Sequence, residues 1–241
     1  AVHRYGSGPD QELVGFVAAG LAFGRVASIL QSIDKVLKVI EASGKAPAAY
    51  VRSFEPRRDG PLLEGLAHRW TRGPDLVALF WILRMMLEEA GSVEGFFRKG
   101  DDPSTPDVGP GLESFSSRAL AFDLGPAYGE VPARPGVCYF FPRPSAGSAR
   151  TRLNLYLRWM VRRDAVDLGI WTQPDASRLI VPLDVHLIRM GQSLGLTRYK
   201  GAGWRMAAEI TASLRQVDAK DPVRFDFALC HLSMSGGTVG P

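Results

Sequence analysis

The sequence predicts an all-α fold, a two-lobed bundle of roughly ten helices. Apolar residues recur at helical spacing through most of the chain. Helix starts and stops are marked by residues suited to them: Ser92 and Asp184 as N-caps, Pro74 and Pro222 in first turns, Gly44 and Gly195 as terminators. Strand candidates are almost absent, and there is no internal repeat or low-complexity tract. At 241 residues and 46% hydrophobic, the chain can bury a substantial core as a single domain spanning 1–241.

Residues 1–9 carry Gly6, Gly8 and Pro9 without periodicity and read as a loose arm. The stretch from Glu12 to Gly24 is small and apolar nearly all round, which predicts a buried central helix that Gly24 interrupts or ends. In the next segment Val26, Ile29, Leu30, Ile33, Val36, Leu37 and Ile40 form an apolar helical stripe that stops at Gly44. Leu62 to Trp70 reads as a short helix, and Pro74 opens a longer one ending near Gly91. Ser92 caps a brief segment.

Residues 101–111 are too rich in Pro and Gly for regular structure and form the expected lobe boundary. A helix over 112–125 follows, then a proline-broken region in which Val137 to Phe141 is a short strand or an apolar plug. The helix over 152–163 turns Leu153, Tyr156, Leu157, Met160 and Val161 inward and leaves Arg158, Arg162 and Arg163 for solvent or phosphate. Helices starting at Asp184, near Trp204 and at Pro222 close the chain, the last ending at Gly236.

Composition excludes several classes. No apolar run approaches the ~20 residues of a membrane span, and the N-terminus lacks a basic region followed by an apolar one, so a cytoplasmic location without membrane contact is expected. Cys138 and Cys230 alone cannot build a disulfide framework, a four-cysteine zinc site or an iron–sulfur cluster. His3, His68, His186 and His231 lack ligand-like spacing, so neither metal nor cofactor is expected. The formal charge is +4, with a pI of about 9.2, but its distribution says more. From Val131 to Arg163 there is no Asp or Glu, and Arg134, Arg143, Arg150, Arg152, Arg158, Arg162 and Arg163 fall in that interval. Arginine suits bidentate phosphate contacts, so the stretch points to a polyanion; the competing reading is a solvated helix face with ion pairs to other segments.

Two motifs flank Trp171. Pro144-Ser145-Ala146-Gly147-Ser148 is a turn opening the cationic helix, where backbone N–H groups from Gly147 to Ala149 can grip a phosphate. Further on, an apolar run ends in Asp184-Val185-His186-Leu187-Ile188-Arg189. Together they resemble the helix-hairpin-helix DNA glycosylases, the superfamily of endonuclease III, the adenine glycosylases and the archaeal 8-oxoguanine glycosylases. Its pattern is a Pro/Gly hairpin opening a helix, then an apolar run ending in Asp-x-His-x-x-Arg. The wording of nearly the whole chain, including ELVGFVAAGLAFGRV and PVRFDFALCHL, also resembles a bacterial family of uncharacterised proteins distantly similar to that superfamily.

The resemblance implies a base-excision N-glycosylase that flips a damaged base, an oxidised purine being the first guess, out of double-stranded DNA. It implies Asp184 as the catalytic carboxylate, with Gly147, Ser148, Ala149, Arg150, Thr151, Arg152, His186 and Arg189 on the DNA, and Trp171 or Phe140 against the flipped base. Asp184 is also a favoured N-cap, and the two roles can coexist. The hairpin has one glycine where the family has two. Bifunctional members use a hairpin-helix lysine as a Schiff-base nucleophile, whereas this chain has no lysine between Lys99 and Lys200; Arg150, Thr151 and Arg152 stand in that region. The implied enzyme is therefore monofunctional, monomeric and nucleoid-associated, the alternative being a non-catalytic DNA-structure binding protein on the same scaffold.

Overall fold

Short-range capping chemistry sets many of the element ends. Ser7 accepts a hydrogen bond from the Asp10 N–H at 3.3 Å and starts α1 (Gly8–Gly20). Ser92 accepts from Gly95 at 2.9 Å and starts the six-residue α6 (Val93–Arg98), and Asp184 starts α10 (Val185–Ser193) in the same way. Gly91 ends α5 (Gly73–Ala90) in the left-handed region, at φ 80°, where a side chain would be strained. The computed structural model describes residues 1–235, the side chain of residue 144 excepted, so the expected stop at Gly236 lies outside the described residues.

The remaining helices are α2 (Val26–Ala42), α3 (Pro47–Arg52), α4 (Pro56–Asp59), α7 (Gly109–Ala119), α8 (Gly125–Tyr128), α9 (Thr151–Val161), α11 (Trp204–Arg215) and α12 (Asp226–Met234). The fold is all-α. Among the described residues its one sheet is a pair of two-residue antiparallel strands, β1 (Ala67–His68) and β2 (Thr71–Arg72), with Ala67 opposite Arg72 and His68 opposite Thr71. No helix is long and apolar enough to cross a membrane.

Two local expectations are corrected, and one open alternative is decided. The first nine residues are not a loose arm: Val2–Arg4 form a 3-10 turn with Val2 buried, and α1 already begins at Gly8. Leu62 to Trp70 is not a helix. A 3-10 turn over Gly60–Leu62 leads into the β1–β2 hairpin, whose tip is Arg69-Trp70, with Arg69 left-handed at φ 54°. Val137 to Phe141 is a plug rather than a strand, since Gly136–Phe140 is a 3-10 helix that buries Val137, Phe140 and Phe141.

The chain divides into two compact units, residues 1–100 with 114–141, and residues 101–113 with the chain from Pro142 onward. The Pro/Gly-rich segment thus belongs to the second unit, and the division falls within α7.

The first unit is built round α1. Leu13, Val14, Phe16, Val17, Ala18 and Ala19 are all buried, as expected of a helix without a polar face. Its buried acid, Glu12, is satisfied, because its two oxygens accept the Val93 and Glu94 N–H groups at the start of α6, at 3.1 and 2.7 Å. Phe16 stacks on Phe141 at 5.5 Å and meets Phe115 at 6.1 Å. Gly20 is required here, because a Cβ would lie 2.6 Å from the Phe140 ring. The α2 stripe is only half used: Ile33, Val36, Leu37 and Ile40 are buried, whereas Val26 is 70% and Leu30 55% exposed.

In the second unit α10 packs on α12, and Trp171 sits edge-on to Tyr156 at 5.4 Å. Arg178 ties down residues 101–107: its guanidinium bridges both Asp101 oxygens at 2.7 and 2.8 Å and reaches the carbonyls of Asp102 and Thr105.

Candidate functional site

The run Leu179-Ile180-Val181-Pro182-Leu183 is buried throughout, anchored where the Val181 N–H donates to the Thr211 hydroxyl at 3.1 Å. It delivers the chain to Asp184, the first half-buried residue. The Asp184 backbone is extended, and its Oδ1 accepts the Leu187 N–H at 2.7 Å. From α12 the Cys230 thiol donates to the same oxygen at 3.5 Å. Burial, then the Asp184 charge, pushes the Cys230 thiol up to about 12, which keeps it protonated and a donor. Asp184 Oδ2 meets no partner among the described residues.

The hairpin motif is a 3-10 turn over Pro144–Ala146 followed by Gly147 at φ 76°. Ser145 to Ser148 are exposed. The turn is braced on both sides: Ser145 donates its N–H and its hydroxyl to Glu113, each at 2.8 Å, and the Gly147 carbonyl accepts from Trp204 N–H at 3.3 Å. Burial alone would raise Glu113, but the Ser145 bonds and the Arg150 and Arg143 charges hold it below the usual carboxylate range. An open recess of about 470 Å³ lies beside this turn, against Trp204, Glu113 and Ser145; Asp184 is not among its lining residues.

The two motifs meet. The Thr151 hydroxyl, at the first position of α9, donates to the carbonyl of Leu183 at 2.5 Å, one residue before Asp184. The helix opened by the turn is therefore bonded to the segment that presents the carboxylate.

The arginines behave differently from expectation. Arg150, left-handed at φ 47°, is only 2% exposed; its Nε donates to the Pro142 carbonyl at 3.0 Å, and its guanidinium lies 5.0 Å from the Trp204 ring centre. Among the described residues its two terminal nitrogens have no hydrogen-bond partner, and burial pushes its pKa down to about 10. Arg150 is thus a buried brace and not a surface phosphate ligand. Arg152 is half-buried and burial likewise pushes it down to about 10.

Arg158 and Arg162, expected to be free for phosphate, are buried in a charge network. Arg158 approaches Asp167 and Asp226, each at 3.4 Å, and Arg162 pairs with Asp164 and Asp221 at 2.9 Å and with Asp167. These acids follow the acid-free interval, so the interval itself concealed their partners. Arg143 and Arg163 remain exposed.

His186 is half-buried and its Nδ1 lies 3.3 Å from the Ser233 hydroxyl on α12; Arg189 is exposed. Trp171 and Phe140 are not available to stack on a base. Trp171 is 6% exposed against Tyr156, and Phe140 is 2% exposed in the first unit, against Gly20. Glu113, Trp204 and Cys230 were not singled out from sequence, because their approach to the motifs is made by folding alone. Among the described residues no group of three or more His, Cys, Asp or Glu could hold a metal ion.

Fold and site thus define an all-α protein with a half-buried carboxylate at a helix start, bonded to a glycine turn. The chain belongs to the family described as protein of unknown function (DUF2400), whose family model matches residues 1–235. No curated protein and no solved structure matches it.

Proposed function

We propose that this protein is a helix-hairpin-helix DNA-binding protein acting as a monofunctional N-glycosylase on damaged bases in duplex DNA. The observation that carries the reading is the 2.5 Å bond from Thr151 to Leu183, which couples the Gly147 turn to the carboxylate of Asp184. In this reading the N–H groups from Gly147 to Ala149, at an exposed turn that ends in the half-buried Ala149, hold a phosphate, with Arg143, Arg163 and Arg189 adding charge from the surface. Asp184 keeps its cap with Oδ1 and turns Oδ2 to the sugar. There it stabilises the oxocarbenium-like charge as the base leaves and orients the attacking water.

A Schiff-base route needs an amine. The half-buried Arg152 keeps its proton at physiological pH, and Lys200 is exposed in a loop beyond α10. Water is the nucleophile that remains.

The test is incubation with duplex oligonucleotides each holding one modified base, followed by mild alkali to reveal abasic sites. One lesion should be processed, without a covalent adduct on borohydride treatment. Asn caps helices as well as Asp does, so Asp184→Asn should leave stability within about 0.5 kcal/mol while abolishing turnover and keeping DNA binding. An Asp184→Asn variant as active as wild type would remove the catalytic assignment. Tight DNA binding with no lesion processed by wild type would favour the second reading, a non-catalytic DNA-structure binding protein, which the engagement of Asp184 Oδ1 by both Leu187 and Cys230 also suits.

A further inference from the structure

The tip of the β1–β2 hairpin, in the first unit, carries surface features that the fold does not need. Trp70 is 47% and Tyr139 52% exposed, although buried positions are common for both residue types. Their rings extend a short aromatic ladder: Phe23 stacks on Trp70 at 4.5 Å and 21°, and Tyr139 lies 5.7 Å from Trp70, tilted by 53°. The Arg69 guanidinium lies 5.4 Å from the Trp70 ring centre. Arg69 holds φ 54°, a conformation that costs a side-chain-bearing residue and that glycine would adopt without strain.

The cations around this ladder lack counter-charges. Arg25, Arg69 and Arg72 are exposed, and none forms an ion pair with a carboxylate among the described residues. Arg25 follows Gly24, whose Cβ position would lie 3.3 Å from the Arg69 side chain, so the two arginines flank one point of the surface. The acid at the start of α5, Asp75, is buried and turned inward, accepting from the Arg72 N–H and the Tyr128 hydroxyl at 2.8 Å each.

We propose that this tip is a binding site for single-stranded DNA, with an unpaired nucleobase stacked on Trp70 and the flanking phosphates held by Arg25, Arg69 and Arg72. Arg72 also donates to the Arg69 carbonyl; an aromatic face accepts any base, and guanidinium groups without carboxylate partners supply the sequence-independent attraction. An apolar protein partner would explain the exposed Val26 and Leu30 but not three arginines without acids. The choice of DNA over RNA rests on the function proposed above; the stacking and charge do not.

The experiment measures fluorescence anisotropy of the full chain with labelled oligothymidine at low salt, set beside oligouridine and an undamaged duplex. Trp70→Ala should weaken oligothymidine binding roughly 5- to 150-fold, the range expected for losing one stacked base. Trp70→Phe should restore most of it, and both variants should bind the duplex as wild type does. Equal oligothymidine affinity for wild type and Trp70→Ala would overturn the site. A tenfold preference for oligouridine would overturn DNA as its occupant. No affinity for oligothymidine in wild type, with self-association instead, would make the patch a protein contact. Failure of duplex binding alone would count against the Asp184 reading while leaving the Trp70 result standing.

Discussion

Two arginine-rich regions of this chain treat the same side chain in opposite ways. Along α9 and at its two ends, Arg158 and Arg162 are buried among Asp164, Asp167, Asp221 and Asp226, and Arg150 is buried beneath the Trp204 ring. At and beside the β1–β2 tip Arg25, Arg69 and Arg72 stay in solvent without a carboxylate partner among the described residues. The α9 region looked the more cationic in sequence, since 33 consecutive residues, 131 to 163, contain no acid. Folding reverses the ranking, because the fate of a guanidinium depends on which carboxylates reach it in space. An arginine held in a buried network fixes structure, whereas one left in water among aromatics is available to a partner.

Breaking the buried network should have the largest effect. Arg162→Ala leaves Asp167, whose side chain is fully buried, without its hydrogen-bonded guanidinium and with only Arg158 beside it, and should cost about 3–5 kcal/mol, read as a fall in the urea midpoint. A loss below about 1 kcal/mol would mean that α9 does not depend on its arginines.

A smaller effect should come from Asp226, 3% exposed at the start of α12. Burial raises its pKa to about 6, opposed by Arg158, against about 3.9 in an unfolded chain. The folded state therefore binds this proton more tightly, and the associated stability is present below pH ~4 and lost as the pH rises through 6. Asp226→Asn mimics the protonated form and should gain about 2–3 kcal/mol on wild type between pH ~4 and ~7, two pKa units at 1.36 kcal/mol each. Urea titrations at the two pH values measure this; a pH-independent gap would place the raised pKa elsewhere in the network.

The smallest effect sharpens the other side of the comparison. Arg69→Gly removes an exposed cation and relieves a left-handed residue, so stability should rise by about 0.5–1 kcal/mol. If it falls instead, Arg69 contributes to the fold as the α9 arginines do, and the contrast between the two regions fails.

Much of the candidate site was legible before folding, but only in pieces. Asp184 reads as a helix start from the apolar run before it and the helical spacing after it, and the Leu187 N–H does bond to it. Gly147 reads as a turn, and it adopts φ 76°. That the two belong together is written nowhere in the spacing: the Thr151–Leu183 bond joins residues 32 positions apart. Trp171 was singled out for lying between the motifs, yet nearness along the chain carried it into the core against Tyr156. The hairpin tip was missed for a related reason, since Leu62 to Trp70 holds enough apolar residues to suggest a helix, while two residues per strand are too few to show alternation.

The sequence by itself determined the all-α class and the ends of several of its helices, at Ser92, Asp184 and Gly91, because a cap or a left-handed glycine acts on N–H and C=O groups within a few residues. Tertiary structure alone decided which arginines are neutralised, which half of the α2 stripe is covered, and which oxygen of Asp184 is spoken for by Cys230. Those outcomes rest on contacts between residues tens of positions apart, and local pattern has no means of recording which distant carboxylate, ring or thiol will arrive.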